Sequence, residues 1–152
     1  MANFNDGTIR KFGPTGADLG TFASTGLDSM PAGLAFDSNG NLCVSNARDA
    51  AIHRFGPTGA DPGVFATTGL DSFPVGLVFD GGGNLYVALN GDDAIHKFGP
   101  SGGDLGTFAD TGELLGPFFL AFSPIPEPSS YLLVAFGTLG LLIQSRIRKH
   151  QL

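Results

Sequence analysis

Apolar and polar residues alternate along short runs throughout the first 122 residues of the chain. Pairs that favour turns separate these runs, among them Asn39-Gly40, Gly56-Pro57 and Asp80-Gly81. Alternation with a period of two is typical of half-buried β-strands, whereas an amphipathic helix needs apolar residues three and four positions apart. Asn-Gly also supplies the positive φ angles that a tight hairpin requires. The pattern therefore predicts short antiparallel strands and no long helix in this part of the chain.

One stretch of sequence occurs three times. Phe-Gly-Pro-Thr-Gly-Ala-Asp-Leu-Gly at 12–20 recurs with small changes at 55–63 and 98–106, and each copy begins 43 residues after the previous one. A period of roughly 40 to 50 residues is typical of propeller blades and of solenoid repeats. The sequence thus predicts one structural unit that is repeated along the chain.

The second unit shows which of these two architectures is favoured. Strands are predicted at 31–37, 42–45, 51–55 and 64–67, with turns at 37–41 and 56–59. Four short antiparallel strands make up one blade of a β-propeller. The unit therefore predicts a propeller blade.

Three segments of the third unit carry a resemblance to a known repeat. Pro74–Asp80, Gly83–Val87 and Ile95–Phe98, with similar residues in the preceding unit, resemble the NHL repeat, which forms propeller blades. The predicted fold class is all-β, a partial β-propeller of about three four-stranded blades of 43 residues, open or circularly closed, plus one C-terminal hydrophobic helix. The predicted domains are NHL-like repeats at 1–122 (units at about 1–30, 31–73 and 74–116, with a lone strand at 117–122), a linker at 123–130, a sorting helix at 131–145 and a basic tail at 146–152.

The two ends of the repeat region each hold part of a blade. Met1–Phe4 stands where Val44–Ala47 stands one unit later, and 117–122 matches the first strand of a unit. Two hypotheses follow: the chain is a fragment of a longer propeller, or two chains pair their open ends into a six-bladed homodimer, since unpaired strand edges invite association. The fragment hypothesis is favoured, because Met1–Phe12 lacks the basic start and apolar run of a secretory signal although the tail predicts export.

The last part of the chain has a different pattern. Pro126, Glu127 and Pro128 precede an uncharged segment, which is followed by a basic end. The thirteen residues 131–143 would span about 20 Å as a helix, so with the polar residues at both ends the segment reaches the lower limit for crossing a bilayer. A buried C-terminal helix of a soluble domain is the alternative. The apolar segment contains Tyr131, Leu132, Leu133, Val134, Leu139, Leu141, Leu142 and Ile143, and the basic stop contains Arg146, Arg148 and Lys149.

These three parts, in this order, resemble the PEP-CTERM sorting signal of Gram-negative bacteria. The resemblance implies that Pro126, Glu127 and Pro128 are recognised by an exosortase, a membrane protease-transpeptidase, and that the tail is removed. It also implies a membrane anchor during export and then a cell-surface or extracellular location. The basic residues after the span predict a cytoplasmic C-terminus, with the N-terminal body outside.

Charge is divided between the body and the tail. The net charge is −6, which divides into −8 for residues 1–124 and +2 for the remainder. The acidic body is unlike a nucleic-acid-binding surface, so we expect no nucleic-acid partner. The basic tail is suited to anionic membrane lipid.

Few residues of the body suggest chemistry. His53 and His96 occupy the same position in successive units, where the first unit has Arg10. They either face a central channel, where they could bind a metal ion, or lie on an exposed strand face, which is the preferred interpretation. The single Cys43 is predicted to be a packed strand residue. The remaining recurrent residues are Asp6, Asp49 and Asp92, and Asp37 and Asp80, all interpreted as turn-forming aspartates.

The sequence therefore predicts no catalytic residue, no metal site and no cofactor. The predicted function is an exported, surface-sorted, non-catalytic binding module whose loops bind an extracellular polysaccharide or protein. The first alternative is a partial copy of a metal-dependent propeller hydrolase or lyase. The second is a decayed gene product with a working tail and no stable body, since about three repeats are needed for stability.

Overall fold

The computed structural model describes residues 1–61, 63–112 and 116–122. The sorting motif, the apolar segment and the basic stop, all predicted after residue 122, lie outside the described residues. Within the described ranges every regular element is a β-strand, and the strands form three antiparallel sheets. We call these sheets blades 1, 2 and 3. The prediction of an all-β partial propeller is confirmed.

The strands of each blade follow one another in space as they do in sequence. Blade 1 contains β1 (Ala2–Asn3), β2 (Thr8–Phe12) and β3 (Asp18–Ser24). Blade 2 contains β4 (Pro31–Phe36), β5 (Leu42–Asn46), β6 (Ala51–Phe55) and β7 (Val64–Thr67). Blade 3 contains β8 (Pro74–Phe79), β9 (Leu85–Leu89), β10 (Ala94–Phe98) and β11 (Asp104–Asp110).

The pairing register repeats with the sequence. In blade 2, Pro31 pairs with Asn46 and Leu34 with Val44. In blade 3 the equivalent pairs are Pro74 with Leu89 and Leu77 with Val87. The repeat therefore fixes the strand register as well as the strand positions.

The hydrophobic core lies between the blades. In each layer one blade contributes an isoleucine and an alanine, and the facing blade contributes a leucine, a valine and a phenylalanine. The layer between blades 1 and 2 contains Ile9, Ala23, Leu42, Val44 and Phe55, and the layer between blades 2 and 3 contains Ile52, Ala66, Leu85, Val87 and Phe98. Every blade is thus stabilised by the apolar surface that its neighbour buries.

The first strands of blades 2 and 3, β4 and β8, approach each other closely. Gly33 makes this possible, since a Cβ at this position would overlap the carbonyl oxygen of Val75. Ser45, which is fully buried, bridges the same point. Its Oγ accepts the N–H of Gly33 at 2.7 Å and donates to the Val75 carbonyl at 2.7 Å. A single hydroxyl therefore connects the two blades.

The lone strand predicted at 117–122 is not formed, because no ladder in the described part of the chain includes these residues. The segment nevertheless lies where a next first strand belongs. A Cβ on Gly76 would lie 2.5 Å from the Phe118 carbonyl oxygen, which repeats the relation of Gly33 to Val75 one unit later. A first strand pairs with the second strand of its own blade, and 117–122 has no such partner within the described ranges.

The arc is open. β1 pairs only with β2, so among the described strands it forms the edge of its sheet. Of the two predicted arrangements, the described residues show the open one and not the circularly closed one. The first 122 residues, as far as they are described, contain no helix with the length and apolarity needed to cross a membrane.

Candidate functional site

Five loops meet at one end of the strands and form the loop face. Because successive strands run in opposite directions, the loops at 4–7, 25–30, 47–50, 68–73 and 90–93 share this end. The hairpins at 13–17, 37–41, 56–60, 80–84 and 99–103 lie at the opposite end.

The loop face holds every non-glycine residue with a positive φ in the described ranges. These residues are Asp28 (64°), Met30 (55°), Ala50 (50°), Asp71 (62°), Phe73 (45°) and Asp93 (51°). A left-handed backbone costs about 1–3 kcal/mol at a residue with a side chain, and such strain is concentrated at functional sites. Met and Phe are unusual in this region, since Asn, Asp and Gly fill most such positions. The clustering makes the loop face the first candidate for a binding surface.

Hydrogen bonds hold these strained loops in place. The Ala47 amide donates to the Met30 carbonyl at 3.1 Å, and the Asn90 amide donates to the Phe73 carbonyl at 3.1 Å. The hydroxyls of Thr68 and Ser72 lie 2.6 Å apart. The equivalent hydroxyl pair in the first unit, Thr25 and Ser29, has the same separation of 2.6 Å. The loops are therefore ordered before any partner binds, which lowers the entropic cost of binding.

The loop face presents apolar tips among acidic groups. Leu27 is 83% exposed and Leu70 is 91% exposed, and Phe73 is 44% exposed beside the second of them. The five loops contain six aspartates and one basic residue, Arg48, which gives a formal charge of −5. The aspartates are Asp6, Asp28, Asp49, Asp71, Asp92 and Asp93. Such a surface favours partners that combine cationic groups with apolar faces.

Some of these aspartates also accept hydrogen bonds from nearby residues and so stabilise their own loops. The Asp6 carboxylate accepts the amide of Thr8 at 2.9 Å and its hydroxyl at 2.7 Å, and these bonds lower the pKa of Asp6. Asn46 donates to Asp49 at a longer 3.4 Å. The prediction that Asp6 organises a turn agrees with this geometry.

The hairpin aspartates at the opposite end of the strands already accept hydrogen bonds from their own hairpins. Asp37 accepts the amides of Asn39 and Asn41 at 2.8 and 2.9 Å and the Asn41 side chain at 2.8 Å. Partial burial raises the pKa of Asp37, but the hydrogen bonds from Asn41 and Asn39 together lower it more, so the net effect is a lowered pKa. Asp80 makes the same three bonds with Gly82 and Asn84, and the pKa of Asp80 is lowered chiefly by the Asn84 side chain. Both carboxylates act as turn-formers, as predicted.

The two repeated histidines do not face the centre of the arc. His53 lies on β6 and His96 on β10, the third strands of their blades, and both are half-buried. His53 Nδ1 lies 3.4 Å from Asp61, and His96 Nδ1 lies 3.9 Å from Asp104. Their equivalent in blade 1, Arg10, pairs with Asp18. The central-channel interpretation of these histidines is therefore wrong. The preferred interpretation, an exposed strand face, agrees only in part, since the two side chains are 18% and 21% exposed.

These aspartates were missed in the analysis of the sequence. Asp18, Asp61 and Asp104 each follow the basic residue of their unit by eight positions and also accept the amide two residues further on, at 2.9, 2.7 and 2.7 Å. The signal was present, since the aspartate recurs in every copy of the Phe-Gly-Pro run. In blade 3 the hydrogen bond that joins the third strand to the fourth at this point is instead made by His96 Nε2 with the Thr107 hydroxyl, at 2.9 Å.

The first strands β4 and β8, together with the segment 117–122, line an open apolar pocket of about 510 Å³. Ala32, Val75, Phe118 and Phe119 contribute to it, together with Phe4 from the loop face. None of the ten residues that line it carries an ionisable side chain. A second cavity, of about 410 Å³, lies between blades 1 and 2 and is also mainly apolar, with Arg10 and Lys11 as its charged residues.

Cys43 is completely buried in the layer between blades 2 and 3. Burial, with a smaller effect from the Asp37 charge, raises the pKa of its thiol to about 12. The residue is a packed strand residue, as predicted. Among the described residues no group of three or more His, Cys, Asp or Glu side chains is arranged to hold a metal ion.

Comparison with known proteins places a signal in the tail. Residues 124–149 match the PEP-CTERM protein-sorting motif. The chain carries an exosortase sorting signal. The signal marks an exported protein that is anchored in the membrane during sorting and then reaches the surface or the exterior, and the exosortase is its sorting partner. The predicted motif Pro126–Pro128 and the basic stop both fall inside the matched residues.

Solved structures similar to the body are propellers. Virginiamycin B lyase from Staphylococcus aureus is 20% identical, with a TM-score of 0.57 over 65% of this chain and 33% of its own. A proposed gluconolactonase is 28% identical, with a TM-score of 0.59 over 76% of this chain and 38% of its own. The calcium-binding protein regucalcin from Agrobacterium tumefaciens is 21% identical, with a TM-score of 0.51 over 66% of this chain and 35% of its own.

The chain thus spans roughly a third of the length of these structures. The likeness shows the propeller fold and is consistent with NHL-like repeats. No curated protein matches the chain.

Proposed function

We propose that the body of this exported, surface-sorted protein is a non-catalytic binding module that binds an extracellular polysaccharide or protein through the loop face. The observation that carries the proposal is the concentration of strained, hydrogen-bonded loops at one end of the strands, with Leu27 and Leu70 at their tips. The acidic charge of the loop face favours a partner with amino groups. The binding is accordingly expected to weaken as salt screens these charges.

The use of the titratable groups supports a non-catalytic role. The carboxylates of Asp37 and Asp80 form turns, and those of Asp18, Asp61 and Asp104 each accept the amide two residues further on. Each of these roles recurs at the same position in successive blades. A catalytic centre instead combines unlike residues in one place.

The test compares leucines at the two ends of the strands. Full-length chain in mild detergent is applied to immobilised amino-bearing, neutral and anionic polysaccharides and to a basic globular protein. Leu27→Ser with Leu70→Ser is expected to weaken binding at least about ten-fold, a loss of about 1.4 kcal/mol. The matched control is Leu19→Ser with Leu105→Ser, since these leucines are 58% and 59% exposed near the opposite end. Equal losses in both double variants, or binding to none of the surfaces, would refute the proposal.

The alternative function is a partial copy of a metal-dependent propeller hydrolase or lyase. It is favoured by one observation, the 28% identity to a proposed gluconolactonase over 76% of this chain. The activity would then belong to a more complete propeller than these residues form. Turnover of a lactone by the full-length chain with added divalent cations, abolished by a chelator, would establish this function in place of the first.

We further propose that residues 131–145 cross the membrane as a helix in a Gram-negative host, with the body outside and residues 146–152 in the cytoplasm. The apolar segment and the three basic residues that follow it support this topology. Co-expression with an exosortase is expected to shorten the wild-type chain but not the Glu127→Ala variant, as judged by intact mass. Processing of both chains, or of neither, would contradict the assignment of 126–128 as the recognised motif.

A further inference from the structure

The two ends of the arc present faces that the interior of the arc buries. Phe55 and Phe98 are each 1% exposed because the preceding blade covers them. Phe12, their equivalent in blade 1, is 44% exposed. At the other end, Phe108 is 58% exposed and Phe122 is 45% exposed. Among the described residues, both terminal faces therefore lack the neighbouring blade that every internal face has.

The two faces are complementary because they are repeats of one interface. The layer between blades 2 and 3 places Phe98 against Ile52 and Ala66. Blade 3 carries Ile95 and Ala109 at the positions of Ile52 and Ala66, and blade 1 carries Phe12 at the position of Phe98. The outer face of blade 3 is thus built to receive the outer face of blade 1.

The backbone at these ends is complementary as well. The segment 117–122 lies in the place of a first strand, and β1 is a second strand. The described part of the chain contains neither a second-strand partner for 117–122 nor a first-strand partner for β1. The segment is also anchored on blade 3, since the rings of Phe122 and Tyr86 meet edge to face with centroids 4.9 Å apart. The segment 117–122 can therefore remain packed on its own chain while its unpaired edge forms hydrogen bonds with a second chain.

We propose that a second copy of this chain docks on the arc, so that residues 117–122 of each copy pair with β1 of the other and complete its first blade. The register follows from blades 2 and 3: Pro117 pairs with Asn3, as Pro31 does with Asn46, and Leu120 pairs with Met1, as Leu34 does with Val44. The result is a closed ring of six four-stranded blades, within the range of four to eight that propellers adopt. Two identical junctions related by a two-fold axis close the ring and leave no exposed strand edge at the junctions.

The first test is the mass of the full-length chain in mild detergent, with the detergent contribution subtracted. The expected protein mass is twice 15.6 kDa. A protein mass of one chain over the micromolar range would overturn the proposal. Phe12→Asp is expected to weaken the dimer at least about ten-fold, whereas Val64→Asp, at a residue that is 55% exposed on β7 of the middle blade, is expected to leave it unchanged. A dimer unaffected by Phe12→Asp would arise elsewhere, for example from the apolar tail, and would also overturn the proposal.

The second test fixes the register by crosslinking. Chains with Asn3→Cys are mixed with chains with Pro117→Cys and oxidised, while the native Cys43 stays buried and unreactive. A disulfide that joins one chain of each kind is expected, and neither variant alone should give the same yield. Asn3→Cys mixed with Ser101→Cys is the control, because Ser101 lies exposed in the hairpin at 99–103, at the end of the strands opposite the loop face. A third sample is a single chain that carries both Asn3→Cys and Pro117→Cys. If this chain forms the disulfide within itself, and the mixture of single variants forms no disulfide between chains, the pairing between copies is refuted.

Discussion

Replacement of Ser45 by Ala tests whether one hydroxyl joins blades 2 and 3. In the wild type this hydroxyl accepts the Gly33 amide and donates to the Val75 carbonyl, at 2.7 Å in both cases, and Ser45 itself is completely buried. Alanine removes both partners at once. An unsatisfied buried polar group costs about 1–3 kcal/mol. Because Gly33 and Val75 are only partly buried, we expect a total loss of about 2–4 kcal/mol.

Such a loss is a large fraction of the stability of a domain, which is typically about 5–15 kcal/mol. At about 4 °C per kcal/mol for a body of this size, Tm should fall by roughly 8–16 °C. The assay is thermal unfolding of the full-length chain in mild detergent, followed by circular dichroism in the β-sheet band. Hydrogen exchange of β4 and β8 identifies where protection is lost.

Two further variants make this prediction specific. Ser38→Ala removes an exposed hydroxyl of a hairpin and is expected to change the free energy of unfolding by less than about 0.5 kcal/mol. Ala88→Ser installs a hydroxyl at the equivalent position of blade 3, where Gly76 and the Phe118 carbonyl stand as Gly33 and Val75 do. It is expected to stabilise the chain and to slow exchange at 117–122. Unchanged stability in Ser45→Ala, or a loss as large in Ser38→Ala, would refute the assigned bridge.

Three other predictions concern packing, pH and thiol reactivity. Gly33→Ala is expected to lower the free energy of unfolding in urea by about 1–3 kcal/mol, because the added methyl group overlaps the Val75 carbonyl. Gly81→Ala is the control, since a methyl group there meets no atom within 4 Å and should have little effect. The pKa of Asp80 is lower in the folded state than in the unfolded state. Its contribution to stability is therefore present above about pH 4 and is lost as the pH falls through the folded-state pKa. Asp80→Asn should make the free energy of unfolding depend less on pH between about pH 5 and 3, as measured by urea unfolding. Cys43 should react with a thiol reagent only after denaturant is added, since burial raises its pKa to about 12, and rapid labelling of the native chain would contradict its position in the core.

The repeat made the strands predictable. The bounds of β6 and β7 agree with the sequence-based ones, and β4 and β5 differ by one residue at one end. Alternation and turn residues act locally, so they are visible in the sequence. Asp37 and Asp80 were interpreted correctly for the same reason, because their hydrogen bonds reach residues only two to four positions away.

Features that depend on distant contacts could not be read in this way. Ser45 bonds Val75, thirty residues further along, and nothing in its neighbourhood in the sequence marks it as a bridge. The strand expected at 117–122 has the right residues, but a strand also requires a partner, and none is present in the described ranges. Binding through loops was predicted, but not which loops form the loop face, because positive φ at Met30 and Phe73 contradicts the preference of these residue types. The five loops are far apart in the sequence and become neighbours only in the folded structure.

The 43-residue spacing has a consequence at the level of the gene. Each copy encodes both faces of the same interface, so unequal crossing-over between copies would add or remove one blade in frame. Every junction that remained would still join a face to its complement. The number of blades can therefore change in a single recombination event, while substitutions at Gly33, Ile52 or Phe55 must be compensated in the neighbouring copy.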